Sequence, residues 1–293
     1  MAKQNHRVRN DAGFTLLEVT IVLVILGVLI GLLSVGLAAA RDSARRIKCS
    51  TNLSQIGMGL SNYESTFRMF PRGSGQQGHG PLVSILPYIE QAAIYDSIDF
   101  GLDVHGNPIA LKTRIDLYRC PATLAQERKE RTDYVLNRGD TLAMLRKDPW
   151  FFDEKFFPRA QNFSKGLTGT PLMSETCPRV DGIRKGSMQN LTNRNIVFQA
   201  DSIQFESECN TALDDIPSHI DNGRFWFGAG TANYFHISPP NARSCGNGGQ
   251  IQFSLYTATS MHSGGVNTLF ADGRVEFVAE NVSTDVWQKL GTR

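Results

Sequence analysis

Gly13-Phe14-Thr15-Leu16-Leu17-Glu18-Val19-Thr20-Ile21-Val22-Leu23-Val24-Ile25-Leu26-Gly27 opens an apolar run that continues to Ala40. Residues 14–40 are 27 positions, and Glu18 is the only charge among them. A bilayer hydrocarbon core is crossed by about 20 helical residues, so the run is long enough to span one. A lone carboxylate four residues into such a helix is costly in lipid and marks a functional position. Residues 1–13 are polar and basic, with Lys3, Arg7 and Arg9, in the manner of an export signal's first region. A secretory signal is cut at small residues after its apolar core. Here Ala38, Ala39 and Ala40 run straight into Arg41-Asp42-Ser43-Ala44-Arg45-Arg46. Hydropathy alone leaves an ordinary signal anchor and a long signal peptide both open.

The junction narrows the choice. Gly13-Phe14-Thr15-Leu16-Leu17-Glu18 resembles the class III signal of type IV prepilins and type II secretion pseudopilins. The resemblance implies that a prepilin peptidase cuts after Gly13 and methylates Phe14, the new N-terminus. It makes Glu18 the acid in fifth place of the mature chain. A buried carboxylate is tolerable when paired, and the α-ammonium of Phe14 in a neighbouring subunit is the partner expected inside a filament.

The apolar pattern narrows beyond Arg41 without stopping. Cys49, Leu53, Ile56, Leu60, Tyr63 and Phe67 recur at steps of four and three, which is one face of an amphipathic helix. No proline occurs between Phe14 and Phe70, so one helix is predicted over about residues 14–67. Gly27 and Gly31 form a small-xxx-small pair that permits close helix packing, or are incidental. Pro71, Gly73 and Gly75 end the helix. The expected divisions are a leader at 1–13, a membrane or filament-core helix at 14–40, its amphipathic continuation at 41–70, and a head at 71–293. The fold class expected is α+β, a pilin-like lollipop whose long helix packs on an antiparallel sheet.

Within the head, residues 81–98 read as a second helix restarted at Pro87. Short strands are expected at 115–119, 133–136, 196–199 and 224–227. Two aromatic, charge-flanked stretches, 148–152 and 155–158, read as core or as a contact surface. The clearest β signal is a hairpin. Residues 266–271 and 274–279 alternate around Asp272-Gly273, which predicts a two-residue type I′ turn with positive φ at both positions. A last helix is expected over 283–290, with Ser283 as its N-cap and Asp285 in its first turn.

The head resembles a second family, the prepilin-like domain-of-unknown-function family 1559. The matching residues are Arg45-Arg46-Ile47-Lys48-Cys49-Ser50-Thr51-Asn52-Leu53-Ser54-Gln55-Ile56-Gly57, Leu86-Pro87-Tyr88-Ile89-Glu90-Gln91, Cys120-Pro121 and Pro239-Pro240-Asn241. The closing signature, His, nine residues, Asp-Gly, falls on His262, Asp272 and Gly273. Thr51-Asn52 departs from the family's pair of asparagines, and residues 139–195 do not align. The resemblance implies a pilin-like secreted or filament-associated head and carries no known activity.

Chemistry is sparse. Formal charge is +2, and loss of the leader leaves 27 residues of each sign. Nucleic acid, which needs a basic face, is not an expected partner. No nucleophile elbow or lysine-bearing phosphate loop is present. His262 and Asp272 are not read as a base and its orienter, since the turn needs Asp272; His262 is read as a structural residue capping the hairpin entry. No enzyme activity is expected. Calcium, which some major pseudopilins bind, has weak oxygen-rich candidates in Asp214, Asp215 and Asp221 before Asn222-Gly223. They lack the alternating spacing of a calcium loop, so no metal is assigned. The five cysteines, Cys49, Cys120, Cys177, Cys209 and Cys245, show no Cys-x-x-Cys. The pairings expected are Cys209 with Cys245 first and Cys49 with Cys120 second.

The function expected is a structural subunit of a type IV pilus-like or type II secretion pseudopilus filament. Its expected partners are the prepilin peptidase, other pilin-like subunits and the inner membrane. Lys3, Arg7 and Arg9 keep the N-terminus cytoplasmic, and the head then lies in the periplasm or outside the cell. The alternative is a membrane-anchored ligand- or carbohydrate-binding head that does not polymerise.

Overall fold

The computed structural model describes residues 15–123, 129–140, 158–177, 188–190, 222–223, 225–229, 232–247 and 250–292. Within these, the side chains of 33–36, 38, 76, 105, 188–190 and 245–254 lie outside the description. The chain divides into two compact units, one up to Ala44 and one from Arg45 onward.

Helix α1, Leu16–Phe67, supplies the described part of the first unit and opens the second. From Leu16 to Leu32 every residue is exposed, apolar ones included. Such a surface finds its place against lipid or other helices, not water. Among the described residues no helix is long and apolar enough to cross a membrane.

In the second unit the stripe along α1 is buried at Cys49, Leu53, Ile56 and Leu60. It fades at Tyr63, which is partly buried, and at Phe67, which is exposed. Gly57 lets the helix lie close to the sheet: a Cβ there would sit 2.7 Å from Leu269 Cδ1. The helix ends at Phe67, where Arg68 turns to φ +56° ahead of Pro71.

The single helix predicted over 81–98 is instead three short pieces. They are α2 (Pro81–Ser84), a 3-10 turn (Leu86–Ile89) and α3 (Ala92–Ser97). Glu90 at φ +62° stops the run, and Pro87 sits in the first turn of the 3-10 piece, where its missing N–H costs nothing. Helix α4, Pro108–Lys112, follows, with Asn107 Oδ1 accepting from the N–H groups of Ile109 and Ala110. The strand expected at 115–119 is a 3-10 turn, Asp116–Tyr118. Its Tyr118 hydroxyl is drawn inward to donate to the Leu82 carbonyl at 2.7 Å.

The strands are β1 (Tyr134–Asn137), β2 (Pro171–Glu175), β3 (Met188–Asn190), β4 (Asn233–Tyr234), β5 (Ser244–Asn247), β6 (Gln250–Leu255), β7 (Gly265–Phe270) and β8 (Val275–Ala279). They form a five-stranded mixed sheet, β4-β1-β2-β7-β8, and a three-stranded one, β3-β5-β6. In the larger sheet only the β1–β4 pair is parallel. The fold is α+β, an N-terminal helix followed by a mixed-sheet head. Of residues 225–227, expected as part of a strand, none is in one, 226 and 227 being bends, and 196–199 lie outside the described residues.

The β7–β8 hairpin is present with a different turn. Gly273 N–H donates to Phe270 O and Phe270 N–H to Arg274 O, both at 2.9 Å. Gly273 has φ +88°, and Asp272 is not among the described residues of positive φ. This is a three-residue loop, a type I turn closed by a glycine bulge, and it shifts the register by one residue, setting Phe270 rather than Ala271 opposite Arg274. The last helix, α5 (Thr284–Gly291), is capped as expected: Ser283 Oγ accepts from Val286 N–H. Its Trp287 is buried in a small second core with Val135, Tyr234, Ala258 and Val266.

Candidate functional site

Two regions carry the residues singled out by sequence. At the N-terminal end of α1, Thr15 N–H and Thr15 Oγ1 each donate to Glu18 Oε2 at 2.9 Å. Glu18 N–H returns a bond to Thr15 Oγ1 at 3.3 Å. The pair is a capping box, and it gives the carboxylate two donors inside its own chain. The signal was legible as Thr-x-x-Glu ahead of an apolar run, and the reading of Glu18 as an acid awaiting a neighbour passed over it. Gly13 and Phe14 lie outside the described residues.

The second region lies in the head beneath α1. Cys49, from the helix stripe, is disulfide-bonded to Cys120, which follows the Asp116–Tyr118 turn. That is the second of the two expected pairings. For the first, Cys209 and the Cys245 side chain lie outside the described residues, as do Asp214, Asp215, Asp221 and the aromatic residues 148–152 and 155–157.

His262 is wholly buried and its Nε2 stands 3.6 Å from Cys120 Sγ and 3.5 Å from Glu175 Oε1. Glu175 ends β2, is 1% exposed, and accepts from both Asn267 N–H and Asn267 Nδ2 at 2.9 Å. The ring of His262 therefore enters the core between the disulfide and Glu175, where the sequence reading had it cap the hairpin entry. Asp272 holds Arg274, accepting from its N–H at 3.2 Å and its Nε at 3.1 Å. The signature thus splits into two jobs: its histidine lines a buried cluster, and its Asp-Gly makes the hairpin turn.

A polar network extends from the disulfide. Tyr134 hydroxyl donates to Cys49 O at 3.2 Å, and Asn52 Nδ2 donates to Arg119 O at 2.8 Å. Asp133 Oδ2 accepts from Arg119 Nε at 3.1 Å and Cys120 N–H at 2.9 Å, and its Oδ1 from Arg131 Nε at 3.4 Å. All three charged residues are at most 3% exposed. Burial pushes the Asp133 carboxyl up, against the pull of both guanidinium groups. Burial also pushes the Tyr134 hydroxyl well up, with the nearby Glu175 acting in the same sense. Beside this network is a cavity of about 470 Å³ lined by Lys48, Asn52, Arg114, Asp116, Arg119, Pro121 and Thr123.

An exposed apolar N-terminal helix opened by Thr15 and Glu18, leading into an α+β head, defines a type IV pilin-like chain. Residues 8–34 match the prokaryotic N-terminal methylation motif, the signal of a prepilin-peptidase substrate. Residues 38–285 match the family described as Protein of unknown function (DUF1559), and the chain belongs to that family. Comparisons with curated proteins and with solved structures find no match.

Proposed function

We propose that the chain is a structural subunit of a type IV pilus-like or type II secretion pseudopilus filament. Prepilin peptidase removes residues 1–13 after Gly13 and methylates Phe14. The precursor crosses the inner membrane once through residues 14–40, with its N-terminus cytoplasmic and its head periplasmic or extracellular. Mature chains then bundle their apolar helices with other pilin-like subunits. No enzymatic step is part of this reading. The observation that carries it is the methylation motif leading directly into an all-round exposed apolar helix whose single charge is Glu18. In a plain anchor that acid would do no more than cap the helix with Thr15, at a cost in lipid.

Two variants expressed in native membranes test the reading. Gly13→Val leaves an uncut chain by intact mass. Glu18→Ala is inserted and cut, yet is absent from sheared filament fractions. Normal incorporation of Glu18→Ala would refute the assembly role, and a native chain that begins at Met1 would refute the processing. The non-polymerising, ligand-binding head has one observation in its favour, the cavity beside Lys48, Arg114 and Arg119. It gains if the mature chain remains monomeric.

A further inference from the structure

The Cys49, Cys120, Glu175 and His262 side chains come from four separate parts of the chain. They are the buried face of α1, the segment after the Asp116–Tyr118 turn, the end of β2 and the loop before β7. All four are buried, and each offers one ligand atom such that all lie within 4.8 Å of one another. A disulfide by itself needs neither an imidazole nor a carboxylate beside it. Glu175 and His262 stand 3.5 Å apart and can offset part of each other's burial cost, and a bound cation would be a stronger compensating charge for the whole group.

The spacing identifies one. Around a tetrahedral zinc ion with Zn–S of about 2.3 Å and Zn–N or Zn–O of about 2.0–2.2 Å, neighbouring ligand atoms stand about 3.6 Å (N to S) and about 3.4 Å (N to O) apart. His262 Nε2 lies 3.6 Å from Cys120 Sγ and 3.5 Å from Glu175 Oε1. The two sulfur atoms, now bonded to each other, would have to part to about 3.8 Å, and the remaining ligand atoms already lie within 4.8 Å of one another. Outer contacts of the kind that orient ligands are in place. Asn267 holds Glu175 through two hydrogen bonds, and the main-chain N–H of His262 donates to Ser260 Oγ at 3.2 Å, which fixes its backbone.

We propose that Cys49, Cys120, His262 and Glu175 form a redox-gated zinc site, holding the ion in the dithiol state and releasing it when the disulfide closes. Opening the site takes two electrons and two protons from a dithiol reductant, which becomes a disulfide itself; the Cys49–Cys120 bond breaks to two thiols. Zinc then displaces both thiol protons, and the thiolates, imidazole and carboxylate complete a four-coordinate shell. A disulfide oxidant reverses the steps: it takes two electrons from the thiolates and two protons from water, becoming a dithiol, while the Cys49–Cys120 bond forms and the ion is ejected. Two thiolates with one nitrogen and one oxygen suit zinc better than calcium or magnesium, which take oxygen ligands. The site stands independently of whether the chain polymerises.

Cobalt(II) is the probe, added to the full chain in detergent after reduction and anaerobic removal of the dithiol. The expected result is one cobalt per chain with the intense visible and near-ultraviolet bands of tetrahedral thiolate coordination, displaced by zinc. The oxidised chain takes up none. Cys49→Ser abolishes the bands, His262→Asn and Glu175→Gln weaken binding by more than the roughly 10–100-fold that loss of an outer contact costs, and Cys177→Ser leaves it unchanged. A six-coordinate spectrum in the reduced chain, or unaltered affinity in His262→Asn, would overturn the assignment. If reduction unfolds the head, zinc must restore its native circular dichroism, because binding energy is then folding energy; failure to restore it also overturns the proposal.

Discussion

His236 makes the head's stability depend on pH in a way that can be worked out in advance. Its ring is wholly buried beside Trp287, with ring centroids 4.0 Å apart. Nδ1–H donates to Trp287 O at 3.0 Å, and since a carbonyl only accepts, Nε2 is the bare nitrogen that accepts a hydrogen bond from the Tyr234 hydroxyl at 3.0 Å. Burial drives the imidazole down to about 3; the bond to Trp287 opposes the shift and Lys165 reinforces it. An unfolded histidine titrates near 6.5. The folded value is the lower one, so the contribution is complete above about 6.5 and is lost as pH falls from there toward 3. At pH 5 the unfolded chain binds the proton and the folded chain does not, over about 1.5 pH units, which removes about 2 kcal/mol. His236→Asn keeps a donor near the Nδ1 position and cannot titrate. Urea unfolding of both chains at about pH 7.5 and about pH 5, followed by tryptophan fluorescence, gives the two losses, and their difference cancels every other group. The native chain should lose about 2 kcal/mol more than the variant. Equal losses would mean that His236 is protonated in the folded head, and the burial argument would be wrong.

Replacing both Cys49 and Cys120 with serine frees a loop spanning 71 residues and should cost about 4 kcal/mol in the same unfolding assay; a loss below about 1 kcal/mol would contradict a closed disulfide. Asp133→Asn tests the buried triad. The folded carboxyl lies above its ordinary range, so its contribution is complete below the unfolded value and lost as pH rises through the folded one. The native-minus-variant stability difference should therefore move in the variant's favour between about pH 3 and about pH 7, and a constant difference would refute the shift. Gly273→Ala forces a Cβ onto φ +88° in open space, so the cost is backbone strain of about 1 kcal/mol, seen as a lowered Tm. An unchanged Tm would mean that the turn lacks its left-handed residue.

What was legible in the sequence was local. The 3.6-residue stripe at Cys49, Leu53, Ile56 and Leu60 marks α1 because one helix face repeats its chemistry, and the Ser283 cap with Asp285 in the first turn marks α5. The alternation around Asp272-Gly273 marked the β7–β8 hairpin, but not its register. Asp-Gly serves both a two-residue turn and a type I turn with a glycine bulge, and the choice lies in which pair of hydrogen bonds closes the loop. Apolar residues in 81–98 imitate a helix, and nothing in their spacing announces the left-handed Glu90 that breaks it. The buried cluster was the least legible. His262 and Glu175 are 87 residues apart, and β2 and β7 bring them together by pairing Ser174 with Thr268. Neither residue stands in a motif with the other, so only the sheet's register joins them.

Glu18 bears on how far the N-terminal reading can be pressed. In the single chain its carboxylate is held by the N–H and hydroxyl of Thr15, so it is not an unsatisfied charge waiting for a partner. The proposed cleavage after Gly13 leaves that arrangement possible, because Thr15 is joined to Phe14 by an amide whose N–H is the donor. The cleavage adds a positive α-ammonium one residue away, at the end of a helix whose first-turn N–H groups already favour an anion. A carboxylate with two short local bonds is cheaper to carry into lipid than a bare one, yet it keeps lone pairs for a further donor. On the proposed assembly, local capping and capture of a neighbour's Phe14 ammonium would be successive uses of one side chain. The first would lower the cost of storing the subunit in the membrane, and the second would require a partner whose ammonium lies close enough to add charge to bonds already made.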